Sequence, residues 1–290
     1  NRAPPVRTEK EAAMVDIADL IETRFGLASE AGRGHPAEGA VATALNHRSH
    51  RRYSDRPVDD ETLEILLSAA FSAPAKSDLQ QSAVVIVRDP TKRAALADLV
   101  PSLDWVATCP VMMIFCADSR RIRRVCEMRG KPFDNDHLDA VLNGAVDTGL
   151  VMGFFIQAAQ ALGLGCCPIS VVRNRIEEIA ALLELPAHVF PVAGMTLGWP
   201  STPGHVSTRL PLSVFVHEDR YDDSDLAAEI DGYDRRRDAR YQIPAEKQRL
   251  NETYGPAKFY GWSEDKARQV SVRERDQLAR FLRAQGFNLD

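Results

Sequence analysis

A strongly basic stretch of the sequence reads His47-Arg48-Ser49-His50-Arg51-Arg52-Tyr53. An arginine side chain presents a planar fork of N–H donors that suits phosphate or carboxylate oxygens. In a helix, Arg48 shares a face with Arg51 and Arg52. In an extended segment it shares a face with His50 and Arg52 instead. Both conformations direct several donors the same way, so the stretch predicts an anion site. The alternative interpretation is a solvated basic patch.

Length and composition predict a soluble globular protein with one large domain or two. The chain has 290 residues, of which 44% are hydrophobic and 27% charged. Its net charge of -5 argues against a nucleic-acid partner. No apolar run approaches the ~20 residues that a membrane helix needs, and the first ten residues lack the apolar core of a signal peptide. We therefore expect no membrane association and a cytoplasmic location.

The cysteine pattern predicts free thiols. The five cysteines are Cys109, Cys116, Cys126, Cys166 and Cys167. None of them lies in a zinc-binding spacing, so we expect no metal site. Reduced, mostly buried thiols are the expected state, and a reactive thiol is the alternative.

The first forty residues have the pattern of an appendage. Thr8 and Glu11 have the form of a capping box, which predicts a helix from there to Phe25. Residues 31–39 are rich in glycine and predict a linker. We therefore divide the chain into an appendage, residues 1–40, and a main domain, residues 41–290.

Hydrophobic periodicity predicts the other elements. Helices are expected at residues 59–71, 92–100, 137–162 and 175–183, the last capped by Asn174, and as a pair within 262–286. Strands are expected at residues 83–87, 111–117 and 190–197, with a short strand at 212–216 and a short strand or loop at 166–172. Residues 120–136 predict a basic loop, and residues 221–260 an extended or mobile excursion. The helix at 137–162 is apolar on nearly all sides, which predicts burial in the domain centre or in a subunit interface.

Six motifs occur in a distinctive order: His47-Arg48-Ser49-x-Arg51-x-Tyr53, Ala73-Pro74 with Gln80, Leu162-Gly163-Leu164-Gly165, Leu182-Leu183-x-Leu185-Pro186, Gly198-Trp199-Pro200 and Arg209-Leu210-Pro211. In this order they resemble the nitroreductase family, and most of all its subgroup of oxygen-insensitive NADPH nitroreductases and NADPH–flavin reductases. The resemblance covers about residues 45–290 and leaves the appendage unexplained.

The resemblance implies a fold and an activity. The fold is α+β, with a mostly antiparallel central sheet flanked by helices and a C-terminal extension that embraces the partner in an intertwined homodimer. The activity is FMN-dependent electron transfer from NADPH or NADH to a small-molecule acceptor such as a nitroaromatic, a quinone or a flavin, by a ping-pong mechanism. The cofactor carries the chemistry, so no catalytic acid or base is assigned. An FMN storage or sensing protein, and a dehydrogenase or dehalogenase on the same scaffold, stay open.

The resemblance also assigns residues to the site. Those expected to hold FMN are His47, Arg48, Ser49, Arg51, Ala75, Lys76, Ser77, Gln80, Pro168, Ile169, Ser170 and Arg209. Those expected near substrate or NAD(P)H are Arg173, Lys247, Arg249 and Arg275. The chain departs from the subgroup at Ser170-Val171, where Gly-Gly is usual, and at Ser207-Thr208, where Lys-Pro is usual. Lys76 is a candidate substitute for the missing lysine. The arginine-rich residues 235–249 predict a preference for NADPH.

Overall fold

The structure, a computed structural model, describes residues 15–290 and confirms the predicted α+β class. The helices of these residues are α1 (Ile17–Phe25), α2 (Gly39–Leu45), α3 (Asp60–Phe71), α4 (Pro90–Leu99), α5 (Trp105–Thr108), α6 (Arg120–Met128), α7 (Leu138–Ala161), α8 (Ile176–Leu182), α9 (Leu226–Asp238), α10 (Asn251–Tyr254), α11 (Trp262–Val270) and α12 (Leu278–Ala284). The strands are β1 (Ser82–Ile86), β2 (Val111–Asp118), β3 (Gly165–Ile169) and β4 (Val189–Gly198).

The four strands form one sheet in the order β1-β2-β4-β3, and each neighbouring pair is antiparallel. In the register, Val84 lies opposite Phe115, which in turn lies opposite Ala193. The two central strands are almost entirely buried. Helices therefore cover both of their faces, which explains why they appear in the sequence as unbroken apolar runs rather than as alternating ones.

The chain divides into two compact units. The large unit comprises residues 47–205 and 266–290 and contains the sheet. The small unit comprises the described residues up to Asn46 together with residues 206–265. It contains α1, α2, α9 and α10. The predicted boundary after residue 40 stays a prediction.

Helix α7 confirms the predicted long apolar helix, and only one of its faces is buried. That face includes Val151, Phe155 and Ala159, and the Phe155 ring lies 5.6 Å from that of Phe115 on β2. By length and composition α7 is the single helix of residues 15–290 that is able to cross a membrane. Because α7 packs into the central core of the large unit, we interpret it as a core helix.

Two expectations near the ends of predicted helices were wrong. The helix predicted to run unbroken to Phe25 is interrupted at Asp16, which is extended and caps α1 by accepting a hydrogen bond from the Asp19 backbone. Thr8 and Glu11 lie outside the described residues. Helix α8 begins at Ile176 after a 3-10 segment, and Asn174 does not cap it.

Three segments predicted as loop, strand or excursion have helical structure instead. Residues 120–128 form α6, whose Arg123 lies over the Phe133 ring, 4.4 Å from its centroid. Residues 212–214 form a 3-10 turn without a strand partner, so the predicted strand there was wrong. Part of the predicted excursion is α9, which Tyr233 anchors by packing against Trp262. Such contacts between distant residues leave no periodic signal in the sequence.

Candidate functional site

The basic stretch is extended and lies beside the edge strand β3. Ser49 forms a parallel bridge with Cys166, and the His50 backbone donates to the Cys166 carbonyl at 3.0 Å. Tyr53 forms an antiparallel bridge with Pro200. The extended alternative is therefore the correct one.

Tyr53 and two glycines hold this stretch against the sheet. The Tyr53 hydroxyl donates to the His50 carbonyl at 2.6 Å and lies 2.7 Å from the Thr196 hydroxyl. Burial raises the pKa of Tyr53, so the phenol remains a donor. A side chain at Gly165 would lie 2.6 Å from His50, and one at Gly198 would lie 2.8 Å from the Tyr53 ring. The motif glycines are needed for this close approach.

Arg48 is the residue of the stretch with an unused buried donor. Its Nε is buried and has no hydrogen-bond partner. Arg48 and His50 both approach Gly204, consistent with the shared face of an extended segment. Burial, and then the charge of Arg48, lower the pKa of His50. A histidine with a lowered pKa beside a buried arginine N–H without an acceptor fits a site for an anion such as a phosphate.

Two neighbours in the stretch already have contacts of their own. Nδ1 of His47 lies 2.8 Å from Oε1 of Gln160 on α7. The Arg51 guanidinium lies 5.6 Å from the centroid of the Trp105 ring and also interacts with the Cys167 thiol. Arg48 and Arg51 thus contact different surroundings, as alternation along an extended chain requires. The role of Arg51 at a phosphate stays a prediction.

The loop after α3 is held in an unusual conformation by one buried carboxylate. Ser77, Asp78 and Gln80 have φ values of 49°, 57° and 52°, in the left-handed region that costs a non-glycine residue about 1 kcal/mol or more. Asp147 on α7 is buried, and its two carboxylate oxygens accept from the backbone of Lys76 at 2.9 Å and of Gln81 at 3.0 Å. The sequence analysis did not identify Asp147, although an acidic residue in the middle of the most apolar segment was a signal.

A cavity of about 510 Å³ lies beside this loop, and Ala75, Gln80 and Asp147 are part of its lining. Gln81 and Ser82 also line it, and both side chains are buried. Nε2 of Gln81 and Oγ of Ser82 have no hydrogen-bond partner. The loop thus offers unused polar groups near the residues expected along the polar edges of FMN.

Asp147→Asn is expected to lower the free energy of unfolding by roughly 2–3 kcal/mol, because the amide loses a charged acceptor and turns N–H groups toward a backbone N–H. Urea denaturation measures the loss. Asp139→Asn, an exposed change on the same helix, is the control and should cost a few tenths of a kcal/mol. An equal loss in both variants would contradict the role of Asp147.

Three predicted residues of the large unit, Ser170, Arg173 and Arg275, lie close together near the end of β3. Ile169 is buried in the core, so it can offer only its backbone, whereas Pro168 and Ser170 are exposed. Arg275 donates through Nε to Asn174 at 2.8 Å, and its Nη2 lies 3.5 Å from the Ser170 hydroxyl. Burial, and then the charge of Arg275, lower the pKa of Arg173. Arg173 and Arg275 are thus two partly buried guanidinium groups near the exposed Ser170, and Arg275 also pairs with Glu274 at 3.2 Å.

In the small unit, Arg209 directly follows Thr208, a residue with a buried polar group that lacks a partner. Its guanidinium donates to the backbone carbonyls of Ser207 and Thr208 at 3.3 and 3.4 Å. The Thr208 hydroxyl is buried and has no hydrogen-bond partner. Nε and Nη2 of Arg236 share this property, and Arg236 and Thr208 both approach Gly26. Donors without acceptors in this position again fit an anion.

The two residues predicted for NAD(P)H in the small unit have different surroundings. Lys247 is exposed and lies in a 3-10 turn. Arg249 is bonded to Asp265, with 3.1 Å between its Nε and the carboxylate Oδ1. The structure thus holds Arg249 in an ion pair, whereas the Lys247 side chain faces solvent.

Four of the five cysteines, Cys109, Cys116, Cys166 and Cys167, are buried, and burial disfavours the thiolate form. Burial raises the pKa of Cys116 and of Cys166 to about 12 each. It also raises the pKa of Cys109 and of Cys167, although Arg51 opposes the effect at Cys167.

Labelling with iodoacetamide at pH 8 is expected to modify mainly Cys126, the half-buried thiol, and all five cysteines after unfolding in urea. A pKa rise from 9.0 to about 12 lowers the reactive thiolate fraction by about a thousandfold. Mass spectrometry locates the label, and Cys126→Ser should remove it. Rapid modification of Cys116 in the folded protein would contradict the assigned burial.

The fold and the basic stretch define a class of oxidoreductase, and comparison with known proteins assigns the family. The model of the nitroreductase family matches residues 44–108 and 100–199, and the model of its C-terminal domain matches residues 207–290. The chain therefore belongs to the nitroreductase family, as its motifs predicted, and to the subgroup of NADPH nitroreductases and flavin reductases.

Individual relatives agree with this assignment. The chain is 31% identical to an FMN reductase [NAD(P)H] of Bacillus subtilis, over 86% of this chain and 98% of that protein. It is 35% identical to an oxygen-insensitive NADPH nitroreductase of Salmonella typhimurium, over 66% of this chain and 79% of that protein. Among solved structures, the NADPH:FMN oxidoreductase of Vibrio harveyi in complex with NAD+ has a TM-score of 0.74 and 28% identity, and the match covers 85% of this chain and 97% of that one.

Proposed function

We propose that the protein is an FMN-dependent oxidoreductase that transfers electrons from NAD(P)H to a small oxidised acceptor. The proposal rests mainly on Arg48, whose Nε is a buried donor without an acceptor. Arg48 lies in the stretch that is bonded to the edge strand of the sheet. A phosphate supplies the missing acceptor and the missing negative charge. The names of the relatives, an FMN reductase and a NADPH–flavin oxidoreductase among them, support the same cofactor.

The proposed roles of the residues follow from their surroundings. His47, Arg48, Ser49 and Arg51 are the proposed donors to the phosphate, and Arg209 is proposed to contribute a further guanidinium. The loop Ala75–Gln80, fixed by Asp147, presents backbone and side-chain polar groups to the ribityl chain and the ring edge. When FMN is bound, it supplies two-electron transfer between a nicotinamide and a second molecule. No protein acid or base is required.

The acceptor is proposed to be a nitroaromatic, a quinone or a free flavin. Arg173 and Arg275 place two half-buried guanidinium groups beside the exposed Ser170, which suits an acceptor or donor that carries negative charge. Donor and acceptor use the same place in turn, so we expect ping-pong kinetics. A cytoplasmic location supplies the NAD(P)H that this reaction needs.

A homodimer is proposed because α7 carries an apolar stripe on its outer side. The stripe consists of exposed residues four apart: Leu138, Leu142, Val146, Leu150 and Phe154. Residues four apart are neighbours on a helix surface, so the side chains form one contiguous strip. A second copy of the chain, with the same strip, is the proposed occupant, since a twofold interface is self-complementary. The C-terminal extension is proposed to embrace that copy.

The purified protein tests the cofactor proposal directly. A yellow protein with a flavin spectrum, bleached by NADPH under nitrogen and recoloured by an acceptor, is the expected result. A colourless protein that does not take up added FMN would refute the proposal. Bound flavin that NAD(P)H does not bleach would favour a storage or sensing protein. Reduction by another substrate alone would favour a dehydrogenase or a dehalogenase on this scaffold.

NADPH is expected to reduce the flavin faster than NADH, because the cationic side chains of Lys247 and Arg249 attract the 2′-phosphate that only NADPH carries. Changing both to alanine should lower the ratio of the two rates by roughly tenfold. Stopped-flow absorbance under nitrogen measures both donors. Arg129 and Lys131, exposed cations of the large unit, are changed to alanine as the control. Equal rates with both donors in the wild type would defeat the predicted preference, and an unchanged ratio in the double variant would remove these two residues from donor selection.

A further inference from the structure

The segment before residue 44 lies outside the residues that the family model matches, yet it is built into the small unit. Its helix α1 has a reciprocal capping box at Asp16 and a left-handed C-cap at Gly26, whose backbone donates to the Glu22 carbonyl at 2.7 Å. A helix with both ends satisfied in this way is a defined element.

Arg24, at the end of α1, is buried and hydrogen-bonded to backbone carbonyls. It is 5% exposed. Its Nε and Nη2 donate to the Leu45 carbonyl at 3.0 and 2.7 Å, and its Nη1 donates to the Ser207 carbonyl at 2.7 Å. Burying a guanidinium without hydrogen-bond acceptors costs free energy. The Arg24 side chain is therefore held where these carbonyls accept its N–H groups.

Arg24 also binds the same segment through its backbone. The Arg209 backbone donates to the Arg24 carbonyl at 2.8 Å. The segment 207–209 is therefore held by Arg24 at both of its ends. At its centre, the Tyr233 hydroxyl donates to the Thr208 carbonyl at 3.0 Å. All three backbone positions of the segment thus have a partner in the small unit.

The segment 207–209 needs such partners, because its own sequence does not stiffen it. Ser207-Thr208 contains no proline, so neither backbone φ angle is fixed by a ring. A further contact also holds the C-terminal end of α1 in the small unit, because Arg240, just after α9, donates to the Thr23 carbonyl at 3.1 Å. The carbonyls at the C-terminal end of a helix attract cations, which favours these contacts.

We propose that Arg24 is a positioning residue for Arg209, and that the N-terminal segment thereby sets how tightly the protein retains FMN. The proposal rests on the proposed role of Arg209 at the FMN phosphate. Arg24 itself does not touch the cofactor. It fixes the backbone from which the Arg209 side chain extends, so its loss lets Arg209 sample directions away from the phosphate. The effect is therefore specific for the phosphate end of the ligand.

Comparison of FMN with riboflavin, which lacks the phosphate, tests the proposal. Dissociation constants of both are measured by flavin fluorescence for the full-length wild type, Arg24→Gln and Arg33→Ala. Arg24→Gln is expected to weaken FMN binding about tenfold and to leave riboflavin binding unchanged. Arg33→Ala removes a cation from the same N-terminal segment, where Arg33 pairs with Asp16 and Asp19, and should change neither constant. Equal weakening of both ligands by Arg24→Gln would show a merely structural role and overturn the proposal.

A double-mutant cycle separates this proposal from the proposed function. In an Arg209→Ala background, Arg24→Gln should cause no further loss of FMN affinity. An undiminished tenfold loss in that background would show that Arg24 acts independently of Arg209. If Arg24→Gln does not fold, Tyr233→Phe, which removes the bond to Thr208, takes its place and should weaken FMN selectively. If the wild type does not bind FMN, the proposed function itself is refuted. If the wild type binds FMN and the Arg24 and Tyr233 variants bind it equally well, only this inference is refuted.

Discussion

Replacing Arg48 by alanine is expected to weaken FMN binding by one to two orders of magnitude. A charge-assisted hydrogen bond contributes roughly 1.5–3 kcal/mol, which corresponds to about 10- to 150-fold in affinity. Arg48 has a buried Nε without a protein acceptor, so no internal bond compensates for the lost contact with the phosphate. Fluorescence titration of the apoprotein with FMN measures the change.

Arg52→Ala is the matched control for Arg48→Ala. Both residues belong to the basic stretch, and both changes remove one positive charge, but the Arg52 side chain is exposed. The control separates the specific contact from a general loss of positive potential, which falls with added salt. If FMN affinity falls by the same factor in both variants, the stretch acts only as a solvated basic patch. Unchanged binding in Arg48→Ala would remove that residue from the site.

Replacing Val146 by aspartate is expected to break the proposed dimer. Val146 is exposed in the single chain and lies at the middle of the stripe on α7. In a twofold interface the change buries two unpaired carboxylates, and an uncompensated buried charge costs roughly 3–5 kcal/mol. The dimer dissociation constant should rise by at least about a hundredfold. Sedimentation velocity at micromolar concentration measures it, and retained FMN is measured in the same samples.

Met128→Asp is the matched control for the dimer prediction. Met128 is also an exposed apolar residue, and it belongs to the end of α6 and not to the stripe on α7. This variant should sediment like the wild type. A wild-type protein that sediments as a compact monomer would contradict the dimer proposal, and so would a Val146→Asp variant that stays dimeric.

Much of the fold was predictable from local patterns. Four strands and the helices α3, α4 and α7 were expected near their observed positions, because each is a strong apolar run or stripe with a clear start signal, such as Asp59 at the N-cap of α3. The segments that were missed, α6 and α9, are charged and contribute few residues to the core. Their stability comes from individual contacts, such as Tyr233 with Trp262, which sequence periodicity does not encode.

For the site, too, part was predictable from the sequence and part was not. The sequence determined by itself which residue types are available: the arginines and the serine of the basic stretch, the motif glycines, and the order of motifs that marks the nitroreductase family. Tertiary structure alone decided their use. It turned Arg48 and Arg51 toward different neighbours, because side chains alternate along an extended segment. It also chose Asp147 and Arg24 as supports for backbone segments 66 and 183 residues away in the chain. A buried charge must find its hydrogen-bond partners in space, wherever the fold brings them, and their distance along the chain does not limit the choice.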